Sequence, residues 1–197
     1  MRSSAHFYDI LVWLLTLGRE RPFRERLLEL ARLEAGESVL DVGCGTGTLA
    51  IAARRRVGPS GIVQGIDASP EMIARAIRKA AKAGVDVTFQ TAIIEKLPFP
   101  DRRFDVVFST MMLHHLPRPT REQGAREMRR VLKPGGRVLA VEFGMPTRQH
   151  KGIISHLHRR GHLSPDSVKD LLSGSKLTVI ESGPVGLRDL HFTLATG

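Results

Sequence analysis

The sequence predicts an α/β fold: a mostly parallel sheet with helices packed on both faces. Three observations carry that expectation. From residue 37 onward, short apolar runs alternate with segments of helical periodicity. The runs are apolar throughout rather than every second residue, as strands buried on both faces are. The first run, VLDVGCGTGTL at 39–49, ends on Asp41 and passes through glycines at 43, 45 and 47, a strand feeding a tight turn and then a helix.

The elements follow in order. SVLDVG (38–43) reads as a strand, and TLAIAARRRV (48–57) as a helix closed by the turn GPSG. Arg54, Arg55 and Arg56 fall in its last turn, where cations suit the helix dipole. IVQGID (62–67) is a second strand. The next helix opens with Ser69 as N-cap and Pro70 at its first position, and Gly84 follows its last turn. VDVTFQTA (85–92) and FDVVFST (104–110) are the third and fourth strands, joined by the loop EKLPFPDRR. A helix is expected over about 120–132, and the KPGG turn launches RVLAVEFG (137–144). A shorter helix begins near Ser164, Pro165 and Asp166, and LTVIESG (177–183) and LHFTLAT (190–196) are the last two strands. Ahead of the sheet, residues 1–35 read as an N-terminal helical cap on a domain of residues 36–197, with Phe23, Leu27, Leu30 and Ala31 on one helical face.

Composition bounds the functional classes. At 197 residues, 42% hydrophobic and 25% charged, the chain reads as one globular domain with a sizeable core. The single cysteine, Cys44, excludes an internal disulfide framework and a cysteine zinc site, and suits a reducing compartment. The polar, mixed opening of residues 1–9 predicts no secretory leader, and the apolar run ILVWLLTL (10–17) is less than half a membrane span. A cytoplasmic location is therefore expected. The net charge of +10 fits nucleic acid, an anionic membrane, an acidic substrate or simply a solvated arginine-rich surface.

The glycine turn poses the central choice between a dinucleotide and an adenosine-bearing sulfonium. The dinucleotide fingerprint requires G-x-G-x-x-G, but position 48 is Thr and the third glycine comes one residue early, at 47. Asp41 at the mouth of the turn would repel a pyrophosphate and would suit an ammonium and a sulfonium. Asp67, at the end of the second strand, can accept both hydroxyls of a ribose in either case.

Taken together, VLDVGCGTGTLA, GIDASPEMI, LPFPDRRFDVVFSTMMLHHLP and VLKPGGRVLAVEFG resemble class I S-adenosylmethionine-dependent methyltransferases. The nearest likeness is to the small-molecule branch that contains the ubiquinone and menaquinone C-methyltransferases, over about residues 36–144. The resemblance implies a Rossmann-like, seven-stranded sheet with a reversed last strand, and S-adenosylmethionine lying across the carboxyl ends of the first three strands. It implies that Gly43, Cys44, Gly45 and Gly47 form the turn against the methionine moiety, with Asp41 near its amino group. Asp67 would take the ribose, Ala68 and Met72 the adenine, and Ile93, Ile94 and Thr110 would line the remainder. Relatives carry Gly-Asp-Ala-Glu before the Leu-Pro-Phe, and the adenine-contacting Asp position is held here by Ile93.

His114 and His115 follow the fourth strand at the active face and are the candidate catalytic residues. Adjacent side chains diverge and no third ligand is evident, so no metal is expected there. His158 and His162 have helical i,i+4 spacing but no acidic residue between them, and the stretch 148–162 reads as a solvated basic loop or an anion- or membrane-facing lid. Tyr8 and Trp13 are expected to pack. The implied partner is a small apolar or amphiphilic methyl acceptor such as a quinol or lipid, met at the membrane surface. Nucleic acid is not expected: STMMLHHLP lacks the Asn/Asp-Pro-Pro-aromatic turn of base-amino methyltransferases, and the lone cysteine sits in the glycine turn. The alternatives are a nucleic-acid (rRNA/tRNA) methyltransferase and a non-catalytic cofactor-binding domain.

Overall fold

A computed structural model describes residues 20–144, 163–187 and 189–197 of the chain. The expected readings of Tyr8, Trp13, the apolar run 10–17 and the basic stretch 148–162 lie outside the described residues.

Helix α1 (Glu20–Leu30) precedes strand β1 (Ser38–Val42). The chain then alternates through α2 (Thr48–Val57), β2 (Ile62–Asp67), α3 (Pro70–Ala83), β3 (Thr88–Thr91) and β4 (Phe104–Thr110). A 3₁₀ turn (Leu113–His115) leads into α4 (Arg118–Val131), β5 (Leu132–Phe143), α5 (Pro165–Gly174), β6 (Thr178–Pro184) and β7 (Leu190–Thr196). The seven strands form one sheet in the order β3-β2-β1-β4-β5-β7-β6. Pairing is parallel from β3 through β5, whereas β7 runs antiparallel to both of its neighbours. The reversed last strand expected from the sequence is thus β7.

Two apolar layers bury the sheet. Leu27, Leu28, Ala53, Ala76, Val106 and Phe108 pack on the face covered by α1, α2 and α3. Leu40, Val107, Met128, Leu132 and Leu172 pack on the opposite face under α4 and α5. Phe23, Leu27, Leu30 and Ala31, expected on one helical face, are all buried.

Local signals hold where expected. The Ser69 hydroxyl accepts from the Met72 N–H at 3.3 Å, and Gly84 closes α3 in a left-handed conformation at φ 65°. The Ser164 hydroxyl caps α5 by accepting from the Ser167 N–H. Three boundaries differ. Strand β3 pairs only over Thr88–Thr91, because it is an edge strand with β2 as its single partner, and Val85 and Val87 pack against the core ahead of it. Helix α4 starts at Arg118 because prolines are tolerated in a first helical turn. The KPGG segment belongs to β5 as an irregularity: the register passes from Phe104↔Leu132 to Val106↔Arg137. A Cβ on Gly136 would lie 2.9 Å from the Asp105 carbonyl oxygen, so glycine is required where β5 crowds β4.

The order of strands reverses between β1 and β4, and in such sheets ligands bind at the carboxyl ends beside that switch point. Asp41, Asp67, Thr110 and Glu142 all lie at carboxyl ends of parallel strands.

Candidate active site

The glycine turn is held in a shape that few other residues permit. Gly43, Gly45 and Gly47 have φ of 70°, 54° and 75°, in the left-handed region that favours glycine. A Cβ on Gly43 would come 2.6 Å from the Met112 side chain, and one on Gly47 would meet Phe89 at 2.7 Å and Ala76 at 2.9 Å. Gly43 therefore serves close approach above the turn, and Gly47 serves helix–strand packing behind it. The Cys44 N–H donates to the Ile66 carbonyl at 2.8 Å, joining the turn to β2. From α3, the Lys79 ammonium donates to the Thr46 hydroxyl at 2.8 Å.

Asp41 is 1% exposed, and neither of its carboxylate oxygens has a hydrogen-bond partner. A buried carboxylate without partners is costly. Burial pushes its pKa up to about 7; the Arg24 guanidinium opposes that rise and the Asp67 carboxylate adds to it. Asp67 differs in being bonded: it accepts from the Gly45 N–H and the Ser69 N–H, each at 2.9 Å. A carboxylate offers about four lone-pair sites, so two remain for ligand hydroxyls. Cys44 is buried, and its thiol is pushed up by burial and by the neighbouring Asp41 and Asp67 charges, the reverse of what a nucleophile needs.

The remaining predicted residues divide by burial. Ala68 is exposed and Met72 half-buried at the start of α3. Ile93 is 52% exposed, whereas Ile94 is buried and turned toward Gly124, where a Cβ would lie 2.5 Å from it. Ile94 can thus present only backbone to a ligand. The loop bearing Ile93 is held from α4. Arg130 donates to the carbonyls of Leu97 at 3.0 Å and Phe99 at 2.8 Å, and Glu127 accepts the Leu97 N–H at 2.8 Å. The Arg130 contact keeps the Glu127 carboxyl below its ordinary range.

Across the switch point, the structure supplies a residue that the sequence reading missed. Glu142, 2% exposed at the end of β5, accepts from the backbone N–H groups of Met112 at 3.0 Å and Leu113 at 2.7 Å. Its second oxygen lies 2.6 Å from Nδ1 of His114. Contrary to the expected divergence of these adjacent side chains, the His115 ring packs against His114 at a tilt of 47° with centroids 3.9 Å apart, and burial, then its histidine neighbour, lowers its pKa. Thr110 is buried just ahead of this turn, and Met111 takes a positive φ of 52°. One readable signal existed: an acidic residue inside the otherwise apolar run RVLAVEFG. A second missed residue is Arg24, 8% exposed on α1. It lies three, four and seven residues ahead of Leu27, Leu28 and Ala31, in register with the apolar face.

S-adenosylmethionine fits these residues. The buried carboxylate of Asp41 has no side-chain hydrogen-bond partner and can take an ammonium, the glycines hold the turn in left-handed conformations, and Asp67 retains acceptor capacity. Among the described residues no group of three metal-ligating side chains could hold an ion.

The fold and the turn define a class. A profile of the methyltransferase domain matches residues 39–136. The chain belongs to the class I S-adenosylmethionine-dependent methyltransferases. It is 37% identical over 151 residues to a demethylmenaquinone methyltransferase of Thermus thermophilus, covering 77% of this chain and 67% of that protein. It is 38% identical to a ubiquinone/menaquinone biosynthesis C-methyltransferase of Pseudomonas putida, covering 75% of this chain but only 57% of that protein. The matched region thus spans between about half and two thirds of these relatives. A solved S-adenosylmethionine-dependent methyltransferase from Aquifex aeolicus superposes with a TM-score of 0.76 at 27% identity, covering 88% of each chain.

Proposed function

We propose that this protein transfers a methyl group from S-adenosylmethionine to a ring carbon of a quinol-type, amphiphilic acceptor. The observation that carries the proposal is the His114–Glu142 pair, at 2.6 Å, beside a turn shaped for the cofactor. The two relatives named above are quinone methyltransferases, which supports the acceptor class.

When bound, the cofactor supplies an electrophilic methyl group on a sulfonium, so the protein's task is alignment, exclusion of water and handling of one proton. Asp41 would hold the ammonium of the methionine end, and Asp67 would accept from the ribose hydroxyls. Ala68, Met72 and the exposed Ile93 would flank the adenine, and the Met112 side chain packs close over Gly43. The Glu142 carboxylate accepts the Nδ1 proton of His114, which leaves Nε2 of His114 as an acceptor for a phenolic proton. Removing that proton would raise electron density on the ring carbon, with the Glu142 charge balancing the imidazolium. As that carbon bonded to the methyl group the S–CH3 bond would break to leave the neutral thioether, and loss of the ring C–H proton with return of the proton from His114 to the phenolic oxygen would restore the aromatic ring. His115, packed against the His114 ring, helps hold its orientation.

An amphiphilic acceptor is met at a membrane surface, and the +10 charge favours anionic lipid. No helix among the described residues is long and apolar enough to cross a membrane, so the contact proposed is peripheral. Incubating the full chain with cofactor and demethylated quinols, and reading the gain of a methyl group by mass spectrometry, tests the activity. His114→Gln should lose turnover by about 100-fold or more while cofactor affinity stays within a few-fold. Undiminished turnover in that variant overturns the assigned base. Flotation with anionic liposomes at low salt tests the surface contact, and indifference to them overturns it.

A further inference from the structure

His191 stands near the start of β7, level with the carboxyl end of β5 and in register with Glu142. Leu190, Phe192 and Leu194 pack on the face covered by α1, α2 and α3, so His191 points to the opposite face. The same alternation around Val141 and Phe143 puts Glu142 on that opposite face. Facing side chains in such a pair have Cβ atoms roughly 4.5–5.5 Å apart. The Glu142 carboxylate therefore has one imidazole on each side: His114, bonded from the β4 side, and His191, its neighbour on the β7 side. Both Glu142 oxygens are taken up by Met112, Leu113 and His114, so His191 is not what holds them.

The His191 ring is half-buried, and its Nδ1 is shut in with no hydrogen-bond partner among the described residues. That leaves Nε2 as the atom through which the ring can meet a ligand. The ring lies over Gly144, where a Cβ would run into Nδ1 and come within 2.9 Å of Cε1. The Gly144 N–H donates to the Asp189 carbonyl at 2.7 Å, which ties the end of β5 to the turn ahead of β7 and fixes that contact. The glycine hydrogen standing in the Cβ direction thus points at Nδ1, where a lone pair fits and an N–H does not. The neutral ring is therefore assigned its proton on Nε2. His114 is the reverse, with its proton on Nδ1 toward Glu142 and Nε2 as an acceptor. An accepting and a donating imidazole so flank a single carboxylate. A ring with two oxygens across from each other matches that pair, and a ring with one does not. We infer that His191 is a second contact to the methyl acceptor, donating from Nε2 to the oxygen that His114 does not deprotonate, and that it selects dihydroxy over monohydroxy rings. This inference rests on the reading of the acceptor as a quinol.

The test compares two acceptors under reducing conditions: a prenylated para-dihydroxynaphthalene, and the matching naphthol that lacks only the hydroxyl across the ring. The parent should favour the first in kcat/KM by about 10- to 100-fold, mostly through KM. His191→Phe should lose that factor for the dihydroxy compound and turn over the naphthol within about threefold of the parent, so that discrimination collapses. His191→Gln, which keeps a donor, should retain part of it. Cofactor affinity should be unchanged in both variants, and His114→Gln should instead lose kcat on both acceptors. Should His191→Phe fail to fold, the Nε2 resonance of His191 in the parent, loaded with the demethylated cofactor, carries the test: it should shift with the dihydroxy compound and stay in place with the naphthol. Equal effects for the two acceptors, in turnover or in the resonance, would overturn the contact while leaving the quinol reading intact. Failure of the parent to methylate either acceptor would overturn the quinol reading, and the contact with it.

Discussion

Asp41 and Glu142 are two buried carboxylates at carboxyl ends of the same sheet, 1% and 2% exposed, and they are treated in opposite ways. Glu142 accepts two backbone N–H groups and faces a histidine nitrogen, so its lone pairs are used within the fold. Asp41 accepts no hydrogen bond, and burial lifts its pKa to about 7. A satisfied buried acid orients its neighbours; an unsatisfied one is a cost that a ligand removes. The β4–β5 side of the site is therefore built before anything binds, and the β1–β2 side is completed by binding.

The largest expected effect breaks the built side. Glu142→Ala would strand the Met112 and Leu113 N–H groups and the His114 ring in a dry interior. Loss of one partner from such a buried network costs about 3–5 kcal/mol. Urea denaturation should show a correspondingly lower midpoint, with Glu142→Gln intermediate because an amide oxygen still accepts from the backbone. An unchanged midpoint in Glu142→Ala would show that the network is not structural.

The same surgery on the other side should act in reverse. Asp41→Asn removes a buried charge that has no hydrogen bond, so stability at pH 8 should hold or rise. Cofactor affinity should nevertheless fall on the order of 10- to 100-fold, because a charged acceptor for the ammonium is lost. If Asp41→Asn destabilises as strongly as Glu142→Ala, the contrast between the two acids fails.

The contrast also sets a pH dependence. In the unfolded chain Asp41 ionises near ~3.9, and in the folded protein near about 7, with burial as the main cause, Asp67 adding to it and Arg24 opposing it. Between those values the folded state holds a proton that the unfolded state has lost. Stability from this group is therefore full below the lower value, and declines by about 1.4 kcal/mol per pH unit until the upper one. The difference in unfolding free energy between the parent and Asp41→Asn isolates that slope. Cofactor affinity should run the other way, rising about tenfold per unit as pH approaches 7 from below and levelling above it. Affinity that is flat between pH 5.5 and 8 would detach Asp41 from the ammonium.

The sequence made the sheet legible because its strands are apolar on both faces and its helices carry explicit caps at Ser69, Gly84 and Ser164. The glycine turn was legible for a similar reason: its backbone needs residues that little else explains. What remained hidden was tertiary. The β3 boundary depends on how many partners an edge strand has. Glu142 and Arg24 are charged residues at core-facing positions, and only the fold shows what each faces. Periodicity could have marked both as misplaced, one within an apolar strand and one on the apolar face of a helix. It could not have shown that Glu142 meets His114 or that Arg24 acts on Asp41.

The smallest expected effect sharpens the ligand-completed side at its rim. Ile93 stands where relatives are expected to carry an aspartate for the adenine amino group, and it is 52% exposed on a loop pinned by Arg130 and Glu127. An exposed isoleucine contributes little to the core, so Ile93→Asp should change stability by less than about 0.5 kcal/mol. The loop position, not the side chain, is fixed by the fold, and a carboxylate there can accept from an amino group while remaining partly solvated. Its gain is thereby limited to a fraction of a buried charged hydrogen bond, and cofactor affinity should stay unchanged or tighten by up to about tenfold. An amine-free analogue, with the adenine amino group replaced by hydrogen, should show no such tightening. A loss of affinity with an intact fold would place the adenine elsewhere and move the ligand-completed part of the site away from this loop, leaving Asp41 and Asp67 as its only acidic anchors.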